Sequence, residues 1–147
     1  MSELQTPGLL VGYTAGVFDM LHVGHLRLLE QARRMCDRLV VGVTTDELSL
    51  QRKHKTPMIP LADRMAMLRA LRCVDEVVPQ ERMDRLAAWE EHRFGVTFVG
   101  DDWHGSPSWR AYEQEFTAPG VTVVYFPYTM HVSSTVLRER LLSRVAA

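Results

Sequence analysis

Short apolar runs and helix-period segments alternate along the chain, and most apolar runs are followed by a polar stretch. Leu9 to Thr14 is compact and apolar and predicts a first strand. From about Val23 a helix is expected, because Leu26, Leu29, Ala32 and Cys36 recur at spacings of three and four. LVVGV, from Leu39 to Val43, is continuous rather than alternating, the pattern of a strand buried on both faces. QRKHKTPMIP is basic, is broken by Pro57 and Pro60, and reads as loop. Pro60 then opens a helix on which Leu61, Met65, Leu68 and Leu71 share one face. VDEVV predicts a short third strand, Met83 to Phe94 a helix, Val96 to Val99 a fourth strand and Val121 to Phe126 a fifth. A last helix is expected from about Ser133 to Ser143.

Strands of the buried type alternating with helices predict an α/β fold with a parallel sheet covered on both faces. In such sheets ligands bind beyond the carboxyl ends of the strands, where strand order reverses. Polar chemistry should then gather just after strands, and four clusters do so. GVFDMLHVGH follows the first strand, TTDE and the basic loop the second, GDDW the fourth and PYTMHVSST the fifth.

Composition narrows the class without changing this layout. The chain has 147 residues, 46% of them hydrophobic and 24% charged, which predicts one globular domain spanning 1–147. A net charge of −1 supplies no electrostatic drive towards nucleic acid or acidic membranes. No apolar run approaches the roughly 18 residues of a membrane span, and MSELQTPGLLVGY lacks the basic and apolar regions of a signal peptide. Cys36 and Cys73 show no metal-ligand spacing and are expected as reduced thiols, giving a cytoplasmic expectation.

His22 and His25 fall at the start of the first helix on one face, where backbone N–H groups and the helix dipole favour phosphate. Gly24 leaves that face bare for a bulky anion. A metal pair is the rival reading, but no third ligand lies nearby and helical zinc pairs more often use a spacing of four. Arg52, Lys53, His54 and Lys55 form a charge run that would ordinarily be a solvated face; on this rim it is a candidate phosphate contact and a mobile flap. Ser133 or Ser134 is a natural N-cap, and its hydroxyl is also placed to grip a polyphosphate. Asp101 and Asp102 suit a turn, a magnesium ion or a base's amino group.

Taken together these residues resemble the HxGH nucleotidyltransferase superfamily, through GVFDMLHVGH, and within it bacterial glycerol-3-phosphate cytidylyltransferases. The likeness runs through FDMLHVGHLRLLEQA, LVVGVTTDE, LRCVDEVVP, GDDW and VSST, roughly residues 10 to 142, and RCVDEVV is similar to that family's second signature. It implies a Rossmann-like five-stranded parallel sheet with helices on both faces, commonly in a homodimer with the second signature near the interface. It further implies transfer of CMP from CTP to a small phosphorylated alcohol, glycerol 3-phosphate by family default, with Mg2+ accompanying the nucleotide. His22, His25, Lys53 and Lys55 would be catalytic. Gly16, Phe18, Gly24, Arg72, Asp101 and Trp103 would bind nucleotide, with Thr129, Ser133 and Ser134 from the last cluster. Asp19, Arg52, His54, Tyr128 and His131 would meet the substrate.

The chain departs from that pattern on the triphosphate and acceptor side. Tyr128 stands where the family usually has an arginine, His131 is extra, and two family lysines fall opposite Arg52 and His54. Two other readings therefore accompany the first: an adenylyltransferase using ATP, and a nucleotide-binding module that has lost catalysis.

Overall fold

The computed structural model describes residues 8–127 and 141–143. Among them five strands form one sheet in the order β3-β2-β1-β4-β5. The strands are β1 (Val11–Gly16), β2 (Arg38–Thr44), β3 (Glu76–Gln80), β4 (Val96–Gly100) and β5 (Thr122–Phe126). All neighbours pair parallel, with Thr14 opposite both Val41 of β2 and Phe98 of β4. The order reverses between β1 and β4, so the expected crevice lies at their carboxyl ends.

Five α-helices connect the strands: α1 (Val23–Arg34), α2 (Asp46–Lys53), α3 (Leu61–Arg69), α4 (Arg85–His92) and α5 (Pro107–Thr117). Two apolar clusters sandwich the sheet. Leu29 and Ala32 of α1 and Leu68 of α3 pack with Leu39, Val41 and Phe98 on one face. Phe116 of α5 packs with Tyr13, Val40 and Phe94 on the other, where Leu86 and Trp89 of α4 join them. Gly42 is required there, because a Cβ at that position would run into the Tyr13 hydroxyl.

Several boundaries differ from the sequence reading, each for a local reason. The segment 51–60 is not all loop, since Arg52 and Lys53 end α2. Thr45 caps that helix by accepting from the Leu48 N–H at 3.1 Å, and Asp46 and Glu47 complement the dipole in its first turn. The third strand begins two residues late, because Val74 closes a turn onto Leu71 and Asp75 turns its carboxylate onto the Leu39 N–H. It ends two residues late, and Pro79 is accommodated because β3 is an edge strand. Helix α5 was not anticipated. Its signals are Ser106 as N-cap, Pro107 in the first turn, and Trp109, Tyr112 and Phe116 along one side. Of the expected last helix, 141–143 is helical and the rest lies outside the described residues.

Candidate active site

A cleft of about 710 Å³ opens at the reversal point, over the carboxyl ends of the strands. Ten of the expected site residues line it: Gly16, Phe18, Asp19, His22, Gly24 and His25 from the first cluster, Arg52, Lys53 and Lys55 from the second, and Trp103. His54, Asp101 and Arg72 do not. His54 ends α2 in the left-handed conformation, its N–H bonded to the Leu50 carbonyl. Asp101 opens a single 3₁₀ turn, 101–103, whose carbonyl accepts from the His104 N–H. Arg72 is exposed just ahead of the amino end of β3, away from the cleft. Tyr128, Thr129, His131, Ser133 and Ser134 lie outside the described residues.

The geometry of the two histidines assigns their protons. His22 is the N-cap of α1, and its Nδ1 accepts from the Gly24 N–H at 3.0 Å. The Nδ1 of His25 accepts from the His22 N–H at 3.3 Å. A ring nitrogen that accepts carries no proton, so each neutral imidazole is protonated at Nε2. The rings stack with centroids 3.9 Å apart. Burial chiefly, and His22 secondarily, push His25 down to about 4, against a smaller opposing effect of Asp19; burial also lowers His22. At neutral pH the pair therefore presents uncharged Nε2–H donors, and the Nε2 of His22 is buried with no hydrogen-bond partner among the described residues. Helix N–H groups were expected to face the anion. Of these, the Gly24 N–H is taken by the His22 imidazole, and the N-cap N–H of His22 holds that of His25.

The loop before α1 is bent to support this pair. Phe18 and Met20 adopt left-handed backbone, with φ of 52° and 50°, a conformation costing about 1–3 kcal/mol each in non-glycine residues. The Phe18 ring lies edge-on to His25 at 5.4 Å, so it buttresses the histidine. A Cβ on Gly16 would stand 3.2 Å from that ring, close enough to press the ring outward by a few tenths of an ångström.

Asp19 was expected to meet substrate or order this loop, and it does order structure. Its two carboxylate oxygens accept from the Met58 and Ile59 N–H groups at 2.8 and 2.9 Å. The segment after α2 is further tied by Ser49, whose hydroxyl donates to the Lys55 carbonyl at 2.9 Å. These bonds anchor the segment at Lys55, Met58 and Ile59 in this conformation. Arg64, which sequence reasoning passed over, completes the bracing from α3. Its guanidinium donates to the carbonyls of Val17, Thr44 and Ile59 at 2.7–2.8 Å and pairs with Asp46. The signal was legible: Arg64 shares the apolar side of α3 with Leu61 and Leu68.

Other unanticipated residues line the cleft from the β3 end and from the α4–α5 layer. Gln80 accepts from the Thr44 hydroxyl at 2.8 Å, and both line the floor. Arg85, Trp109 and Tyr112 form the wall opposite α1. Among the described residues no group of three or more His, Cys, Asp or Glu side chains is arranged to hold a metal. Both cysteines are free thiols, and no described helix is long and apolar enough to cross a membrane.

Comparison with known proteins agrees with this layout. Residues 13–140 match the model of the family described as cytidylyltransferase-like. The glycerol-3-phosphate cytidylyltransferase of Bacillus subtilis (strain 168) is 36% identical over 135 residues, covering 87% of this chain and 94% of the relative. That of Staphylococcus aureus (strain NCTC 8325 / PS 47) is 34% identical over 137 residues, covering 90% and 96%. Among solved structures, a lipopolysaccharide core biosynthesis protein from Thermoplasma volcanium GSS1 superposes with a TM-score of 0.69 at 23% identity, covering 85% of this chain and all of that one; this likeness concerns the fold. The sheet order, the histidine pair at its reversal point and the extent of the match place the chain in the cytidylyltransferase-like family of nucleotidyltransferase enzymes.

Proposed function

We propose that the protein transfers CMP from CTP to a small phosphorylated alcohol, with glycerol 3-phosphate, the substrate in the names of its relatives, as the first acceptor to test. The observation that carries the proposal is the neutral, backbone-pinned pair of Nε2–H donors from His22 and His25 at the reversal point. A phosphate oxygen of the acceptor attacks the α-phosphorus of CTP; the new P–O bond forms as the bond to the β-phosphate oxygen breaks, and pyrophosphate leaves. An ionised phosphate is already a nucleophile, so the histidines need remove no proton. Their task is to donate to oxygens on which charge develops, where one well-aimed donor contributes about 3 kcal/mol. Holding both polyanions in line can lower the barrier by roughly 7–11 kcal/mol more.

Arg52, Lys53 and Lys55 supply positive charge to the triphosphate, and Trp103 supplies a surface for the base. Mg2+ would accompany the triphosphate, with phosphate oxygens and water as its principal ligands, and would neutralise part of its charge. Arg72, exposed beside edge strand β3, suits the contact with a second copy that the family resemblance implies. The decisive experiment is pyrophosphate release from CTP and from ATP, each with glycerol 3-phosphate and a panel of phosphorylated polyols and amino-alcohols. Release with CTP and a phosphorylated alcohol is expected. Release with ATP alone would reassign the nucleotide, and none with any pair would leave a binding module.

A further inference from the structure

Arg85 occupies the first position of α4, and its side chain is buried in the cleft wall opposite α1. Its guanidinium lies 5.2 Å from the Trp109 ring centroid and 5.6 Å from that of Tyr13. Among the described residues its Nη1 is buried without a hydrogen-bond partner, and none of the ion pairs involves it. Aromatic faces offset part of the cost of burying a cation. They leave Nη1 unmet among the described residues, and a guanidinium keeps its charge under such burial. A buried charge with no counter-charge is costly, and the cleft is the side from which one can arrive.

We infer that Arg85 binds the phosphate of the acceptor, forming a subsite across the cleft from the nucleotide's triphosphate. This inference rests on the transfer reaction proposed above. In phosphoryl-type transfer the attacking and leaving oxygens lie roughly in line across the phosphorus, so the two anionic groups need cations on opposite sides. Arg52 and Lys53 of α2, and Lys55 just after it, lie in the segment that Arg64 ties to α3 through Asp46 and the Ile59 carbonyl. Arg85 is the one lysine or arginine that the α4–α5 layer contributes to the described lining. The corner is aromatic. The Tyr112 hydroxyl accepts from the Arg85 backbone N–H and donates to the Met83 carbonyl, each at 3.4 Å. A small acceptor whose phosphate lies on the guanidinium and whose carbon chain lies along Trp109 matches these walls.

The test uses the full chain and its Arg85→Met and Arg85→Lys variants, with folding checked by circular dichroism. Glycerol 3-phosphate, inorganic phosphate and glycerol are titrated calorimetrically onto the complex with α,β-methylene-CTP, which occupies the nucleotide site and cannot release pyrophosphate. The wild type should bind both anions and not glycerol. Arg85→Met should bind them at least tenfold more weakly while binding the nucleotide analogue within twofold of wild type, and Arg85→Lys should recover part of the loss. In turnover, KM for the acceptor should rise at least tenfold with KM for CTP nearly unchanged. Unaltered anion affinity in Arg85→Met, or in Arg85→Lys should the former not fold, overturns the inference, as does equal loss of nucleotide and acceptor. A wild type that binds no nucleotide analogue but still binds phosphate through Arg85 sinks the transfer reading and leaves the anion site standing.

Discussion

The proton on His25 is placed by the backbone and kept single by burial. The His22 N–H occupies Nδ1, and the surroundings hold the pKa near 4, so the ring stays a neutral donor from mildly acidic pH upward. His25→Ala should therefore lower kcat by about 10²–10³, as loss of a comparable transition-state donor does. Its melting temperature should change far less; near-wild-type turnover would rule the donor role out. The same shift has a consequence for stability without ligand. The pKa is depressed on folding, so the unfolded chain binds this proton more readily. The resulting loss of stability begins as pH falls through the ordinary imidazole value of about 6.5 and is complete near 4, reaching about 3 kcal/mol. Urea unfolding across pH 4–7 should show a shallower decline in His25→Asn than in wild type, and parallel curves would contradict the assignment. Of these residues the sequence displayed both histidines and Gly24. It could not display the tautomers, which depend on which N–H meets which nitrogen.

At the scale of elements, the rim is held by polar side chains that bridge segments distant in sequence. Arg64 joins the ends of β1 and β2 to the segment after α2 through three carbonyls and Asp46. Replacing it by methionine leaves those acceptors buried around an apolar chain, and should cost about 3–5 kcal/mol in chemical unfolding, the range for breaking a buried ion pair. A loss under 1 kcal/mol would mean that the bracing is redundant. Asp19→Asn removes one of two acceptors for the Met58 and Ile59 N–H groups. Amide exchange at one or both positions should accelerate at least tenfold, with KM for nucleotide rising as Arg52, Lys53 and Lys55 lose their support. Unchanged exchange would show that the segment is held by its other contacts. The five strands were legible as apolar runs. Helices α2 and α5 were not read, although the caps Thr45 and Ser106 were in view, because one stretch looked basic and punctuated by proline and the other lacked a long apolar stripe.

At the scale of the whole molecule, strand order converts separated motifs into one cleft. GVFDMLHVGH, the basic segment and GDDW are far apart in the chain, yet β1, β2 and β4 deliver them to the same rim because all strands run parallel. Arg72 leads to the opposite end. Its signature anchors the amino side of the sheet, where Asp75 accepts from the Leu39 N–H and pairs with Arg33 at 2.9 Å. If Arg72 acts through a second copy of the chain, Arg72→Ala should shift the sedimentation profile towards monomer while leaving the unfolding of the protomer within about 0.5 kcal/mol, as for an exposed side chain. A wild-type protein that sediments as a monomer at micromolar concentration would remove that role.

By itself the sequence determined the alternation of strands and helices, the parallel sheet and the rim that carries the chemistry, because hydrophobic period and position after a strand are local properties of the chain. Only the tertiary structure decided which nitrogens keep their protons, that Asp19 and Arg64 brace the rim, and that Arg85 stands buried without a counter-charge among the described residues. Each of these depends on burial and on partners supplied by other segments, and neither is encoded in the spacing of residues along one stretch. The buried position of Arg85 in particular exists only because α5, absent from the pattern-based reading, packs Trp109 against it.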